Sequence, residues 1–273
     1  MQYAVNYCKG AKMEPFAEII INYNRQDMEL LTFLENHPNQ RIILSIKQND
    51  IISFHEAQGW RQLNAIYNKY PFIAVRFEDL GAFHQLTSIE EECIKELTVP
   101  YFFGAIVTTF DQLQYFLTQG VCAIYVAEDI CFSLTWVKQL CKEKNVQVRA
   151  FPNIAQANVR AIPALKKFFI RPEDVNIYED VIDILEFWGP IERQEVLYRI
   201  YSKGRWFGNL RDLILDLDIE FDSRRILPEF AQMRKICNRK CMRGEPCEVC
   251  ERILSISKKL ENHHLIIKPK KVD

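Results

Sequence analysis

The chain has 273 residues, of which 48 % are hydrophobic and 26 % charged, with a net charge of −1. That balance excludes a disordered or fibrous chain and leaves enough apolar material for a large core. Only 9 glycines are present, and neither G-x-G-x-x-G nor G-x-x-x-x-G-K-[ST] occurs, which excludes the common Gly-rich phosphate cradles.

In chain order, short apolar runs predict strands at Gln2–Tyr7, Ala17–Asn22, Arg41–Ile46, Phe72–Phe77, Tyr101–Val107, Ala123–Ala127, Val146–Phe151 and Lys167–Ile170. Their density in Ile, Val, Phe and Tyr fits strands buried on both faces. Helical stretches fall between them at Gln26–Glu35, Ser53–Lys69, Ser88–Leu97, Asp111–Gln119 and Ser133–Glu143. Asp111 suits an N-cap, and Gly120 the residue just past that helix. Strand–helix alternation of this kind predicts a mostly parallel α/β sheet, and eight strands suggest an irregular (β/α)8 TIM-like barrel, with an open doubly wound sheet as the alternative. Nine residues between Tyr7 and Ala17 are short for a parallel crossover. The first strand is therefore expected to pair antiparallel or to pass over an end of the barrel.

Past Ile170, Tyr178–Trp188 reads as a helix, broken by Gly189-Pro190. Glu192–Ser202 and Asn209–Leu217 are helical by period, and further helices are expected from Pro228 and over Glu248–Glu261. The organisation that follows is a barrel domain over 1–190 and a helical extension over 191–273 that carries a basic tail.

Cys237, Cys241, Cys247 and Cys250, spaced C-x3-C-x5-C-x2-C, lie in that extension. Four thiolates suit a tetrahedral site, and a closed shell of four sulfurs favours structural Zn²⁺. An iron–sulfur cluster uses the same ligand set and stays open as the alternative, as do free thiols. From Arg224 onward, 13 Lys/Arg stand against 6 Asp/Glu, so this end carries a basic surplus suited to a nucleic acid or a protein partner. The scattered remaining cysteines, the odd total of 9 and the lack of a signal-peptide pattern point to a reducing, cytoplasmic setting. No run approaches the ~18 apolar residues of a membrane span, so no membrane is expected.

If the barrel reading holds, chemistry belongs at the C-terminal ends of the strands. Lys47, Glu78, Glu128 and Glu173 fall there and supply a cation and acid–base carboxylates for a polar substrate. Capping of the following helices is the plainer role for such residues. Lys203, Arg205, Trp206 and Arg211 combine cations with an aromatic face, a pattern that stacks bases and holds phosphates, or else packs an inter-helix turn. The expected function is a metal-binding barrel enzyme acting on a nucleic-acid or nucleotide-linked substrate, with a mainly structural metal. The alternatives are a non-catalytic scaffold or interaction protein and an iron–sulfur redox or hydroxylation-type enzyme.

A strand-and-helix body followed by a segment bearing Cys237, Cys241, Cys247 and Cys250 resembles the collagenase-like peptidase family. That family includes iron–sulfur proteins of RNA or quinone hydroxylation, so the resemblance implies a barrel with a cluster-binding appendage. Its Gly- and Cys-containing motif is absent here and these four thiols are more tightly grouped, so no residue roles are carried across.

Overall fold

The computed structural model describes residues 1–6, 16–23, 28–47, 50–78, 86–126, 133–152, 170–187, 189–208, 212–213, 231–233 and 235. The four-cysteine segment and the basic tail lie outside them, as do Glu128 and Arg211.

Among the described residues, nine strands form one sheet: β1 Gln2–Asn6, β2 Glu18–Asn22, β3 Arg41–Lys47, β4 Ile73–Glu78, β5 Tyr101–Phe103, β6 Ile106–Val107, β7 Ala123–Val126, β8 Gln147–Ala150 and β9 Ile184–Glu186. Their spatial order is β5-β4-β3-β2-β1-β9-β8-β7-β6, with every pairing parallel. The two end strands are separated in sequence by Gly104 and Ala105 alone, and the Cys122 amide at the start of β7 donates to the Tyr101 carbonyl of β5. The sheet is therefore curled until its two ends are consecutive pieces of the same chain.

Seven of the eight expected strands are present, the fifth split in two by Gly104-Ala105. Of the eighth, Lys167–Ile170, only Ile170 is described, and it is not in a strand. Four expectations are corrected. β1 pairs parallel with both β2 and β9, so the short connection does not force an antiparallel start. The stretch read as a helix over Tyr178–Trp188 holds β9 instead, three fully buried residues that supply the missing strand. An Ile-Leu-Glu run is too short for its periodicity to separate a strand from a buried helical turn.

The helices are α1 Met28–Asn36, α2 Ile51–Glu56, α3 Gly59–Lys69, α4 Ser88–Lys95, α5 Phe110–Thr118, α6 Leu134–Glu143, α7 Val175–Tyr178 and α8 Ile191–Ser202. What reads as one helix over Ser53–Lys69 is two. Gln58 adopts a left-handed φ of 53°, and a Cβ on Gly59 would lie 2.5 Å from the Phe54 ring, so glycine lets α3 close onto α2. The fourth correction concerns the α5 cap: Thr109, not Asp111, takes that place, accepting from the Gln112 amide, while Asp111 sits in the first turn. Gly120 follows that helix with φ +77°, where a side chain would be strained. α4 opens on a full capping box between Thr87 and Glu90.

Side chains alternate between the two faces of each strand. Ile19, Ile21, Ile42, Leu44, Ile46, Val75, Phe77 and Val148 are buried on the outer face, toward the helices. α8 lies over β1 and β9, with Tyr198 edge-on to Tyr3 at 5.3 Å and Tyr201 against Phe187 at 5.2 Å. No helix among the described residues is long and apolar enough to cross a membrane.

Candidate active site at the ends of β2 to β4

The inner face of the sheet is charged. Glu18, Arg76, Arg149 and Glu186 are all buried, and they meet partners several strands away, which a curled sheet alone permits. Arg149 Nη1 donates to Glu18 Oε2 at 2.5 Å, and its Nη2 lies 3.5 Å from Glu186 Oε2. Arg76 Nη1 donates to Glu186 Oε1 at 2.7 Å. The Tyr125 hydroxyl donates to Glu186 Oε2 at 2.5 Å. At the entrance to β3, Arg41 Nε lies 2.7 Å from Glu18 Oε1 and its Nη2 donates to Gln147 across the interior. The Arg149 guanidinium stands over Phe102 and Tyr125, 5.1 and 5.5 Å from the ring centroids.

Burial acts against the charge on Arg149, but Tyr125, Glu18 and Glu186 outweigh it and hold the guanidinium charged well above its ordinary range. Arg76 behaves alike, with burial again outweighed, chiefly by Glu186 and Tyr125. Tyr125 is pushed up to about 12, first by burial and then by Glu186.

That shift sets a pH dependence. An unfolded tyrosine loses its proton near pH ~10, whereas Tyr125 keeps its own to about 12. Between those values the unfolded state binds fewer protons, so stability is intact below pH ~10 and falls as pH rises from there. We expect urea midpoints to drop across pH 10 to 12, with a shallower drop in Tyr125→Phe, by about 2–3 kcal/mol over the interval. Parallel slopes for the two proteins would contradict this account.

Above this network, toward the C-terminal ends of the strands, lies a smaller polar group. Ser45 Oγ donates to Glu78 Oε1 at 2.5 Å and accepts from Arg76 Nε at 3.1 Å, while Arg76 Nη2 donates to the same Glu78 oxygen at 3.0 Å. One arginine thus links the buried interior to a carboxylate at the rim. Lys47 is the direct register neighbour of Glu78 on β3. Beside them opens a cavity of about 530 Å³ lined by Asn22, Tyr23, Ser45, Ile46, Lys47, Asp50, Ser53, Phe54 and Ala57.

The residues singled out in sequence divide into two places. Lys47 and Glu78 come together at the ends of β3 and β4, and Lys47 faces the cavity. Glu173 instead sits in a 3-10 turn, Pro172–Asp174, and accepts from the Trp206 amide at 2.8 Å; it is not part of the cavity wall. Lys203 and Arg205 are exposed near it, Trp206 is half-buried, and Arg205 stands 5.9 Å over the Phe207 ring. Sequence reasoning missed Ser45, Tyr125, Glu18 and Glu186. The available signal was that the polar residues of a strand all fall on one alternating face, as do Arg41, Ser45 and Lys47 or Arg76 and Glu78, which marks an inner face of unusual polarity. Among the described residues no cluster of His, Cys, Asp and Glu is arranged to hold a metal ion.

No family model matches the chain. It is similar to an uncharacterized protease of Methanocaldococcus jannaschii, 28 % identical over 150 residues, a match covering 44 % of this chain and 45 % of that protein. The match therefore spans less than half of that relative's length. Among solved structures, the YdjI aldolase from Escherichia coli K12 overlays loosely, with 9 % identity, a TM-score of 0.30 and coverage of 89 % of this chain and 90 % of that one.

Proposed function

We propose that this chain is a (β/α)8-barrel enzyme that performs acid–base chemistry on a polar substrate held at the C-terminal ends of β2, β3 and β4. One observation carries the reading: a rim carboxylate, Glu78, held by Ser45 and Arg76, is the register neighbour of Lys47, which with Ser45 lines a cavity of ligand size. In barrels of parallel strands this is the end at which reacting groups gather. Glu78 takes a proton from the substrate, and Lys47 offsets the negative charge left behind. Ser45 and Arg76 keep the carboxylate from rotating away, since both bind the same oxygen. Glu128, two residues past β7 in sequence and outside the described residues, belongs to the same reading as a further carboxylate.

The proposal extends to a reducing, cytoplasmic setting, which the unpaired thiols of Cys93, Cys122 and Cys141 support. Burial pushes the Cys122 thiol up to about 11 and the Cys141 thiol to about 12, so both stay protonated and inert. It also extends to Zn²⁺ on Cys237, Cys241, Cys247 and Cys250, which the sequence spacing supports, with an iron–sulfur cluster as the alternative. Contact with a nucleic-acid or nucleotide-linked substrate has its support in the basic tail and in the exposed Lys203 and Arg205.

The test of the site is turnover by Lys47→Met and Glu78→Gln, each checked for a cooperative thermal transition. Loss of turnover in both folded variants is expected, and wild-type turnover in either would overturn the assignment. For the metal, purified reduced protein should contain one zinc per chain by elemental analysis. Broad visible absorption with bound iron would replace zinc by a cluster, and the absence of both metals would end the metal reading.

A further inference from the structure

We infer that the cavity at the ends of β2 and β3 binds an amphipathic zwitterion, namely an α-amino acid with an apolar side chain, free or within a dipeptide. This rests on the proposed site and names its substrate class. Lys47 and Glu78 are direct ladder neighbours and would ordinarily form a cross-strand ion pair. Glu78 is instead drawn to Ser45 and Arg76, which leaves the Lys47 ammonium with no partner among the described residues.

Asp50, three residues on, is also unpaired. Its backbone carbonyl accepts from Ser53 at 3.0 Å, but its carboxylate makes no hydrogen bond or ion pair among the described residues. Asn22 lies on the same wall and is exposed, and its side-chain amide has no partner among the described residues. A cation, an anion and a neutral amide therefore line one cavity without neutralising one another. Unpaired charges of both signs favour a ligand that carries both. A phosphate would meet Asp50, and a polyamine would meet Lys47.

The rest of the wall pairs the hydroxyl-bearing Ser45 and Ser53 with an apolar portion. Ile46, Phe54 and Ala57 line it with Tyr23, whose ring meets that of Phe54 edge-on at 5.6 Å. A carboxylate on Lys47 and Asn22, an ammonium on Asp50 and a hydrocarbon or aromatic side chain over Phe54 use both charges and the apolar portion of this surface.

The experiment is equilibrium binding by calorimetry to the full chain with four probes. L-phenylalanine and L-phenylalanylglycine carry both charges; 3-phenylpropionate lacks the ammonium, and 2-phenylethylamine lacks the carboxylate. At least one of the two zwitterions should bind about tenfold more tightly than either singly charged probe, as expected from one charge-assisted contact each. Which of the two binds distinguishes a free amino acid from a peptide end. Lys47→Met should erase the preference over 2-phenylethylamine alone, and Asp50→Asn the preference over 3-phenylpropionate alone. Equal affinity for all probes, no saturable binding, or variants that weaken every probe alike would overturn the inference. Such a result together with an inactive Glu78→Gln protein would remove the substrate class and leave the acid–base site standing.

Discussion

Arg149→Met is expected to destabilise the protein by about 3–5 kcal/mol, the range for removing one partner of a buried ion pair. The inner network holds three arginines, at positions 41, 76 and 149, against the carboxylates of Glu18, Glu78 and Glu186. Loss of Arg149 leaves this interior one negative charge in excess. Glu186 keeps Arg76 and Tyr125, but Glu18 keeps Arg41 alone, so the surplus falls mainly at the entrance of β2 and β3. Methionine fills much of the arginine's volume, so cavity formation contributes less than the uncompensated charge. A domain's whole stability is typically about 5–15 kcal/mol, which makes this a large fraction. Chemical denaturation followed by circular dichroism measures it. A double variant, Arg149→Met with Glu18→Gln, restores the charge balance and should recover a substantial part of the loss. A single variant within about 1 kcal/mol of wild type would show that the network contributes specificity of packing and not stability.

The second large effect concerns turnover. Glu78→Gln should lower kcat about 10²- to 10⁴-fold, the usual contribution of a positioned proton-transfer group. Glutamine preserves the shape and can still accept from Ser45 and Arg76, and Glu186 still pairs with Arg76, so stability should fall by less than in Arg149→Met, about 1–3 kcal/mol. Glu173→Gln is the contrast, because its carboxylate fixes the Trp206 amide away from the cavity. Its kcat should stay within about threefold of wild type, since glutamine also accepts that amide hydrogen. Comparable losses in the two variants would move the chemistry away from β3 and β4.

Much of the strand framework was legible because strands buried on both faces leave dense Ile, Val and Phe runs, as in Arg41–Lys47. β9 was not, because its three residues sit in a stretch whose apolar spacing also suits a helix. The division of α2 from α3 was hidden for a different reason. It depends on Gln58 entering the left-handed region and on Gly59 fitting against Phe54, a tertiary contact with no periodic trace. Of the candidate site, Lys47 and Glu78 were accessible from sequence as polar residues that end strands. Ser45 and Glu186 were not, since their importance arises from partners 31 to 110 residues away.

Local chemistry written along the chain therefore settled which segments become strands and helices and that their alternation yields a parallel α/β sheet. Side-chain periodicity and capping act over a few residues, so one dimension suffices for them. Only the tertiary structure decided that the sheet curls until Tyr101 meets Cys122, and that Arg76 turns Glu78 away from Lys47. Those outcomes depend on charges brought together across the barrel interior, where the low dielectric makes each pairing count and linear order says nothing about who meets whom.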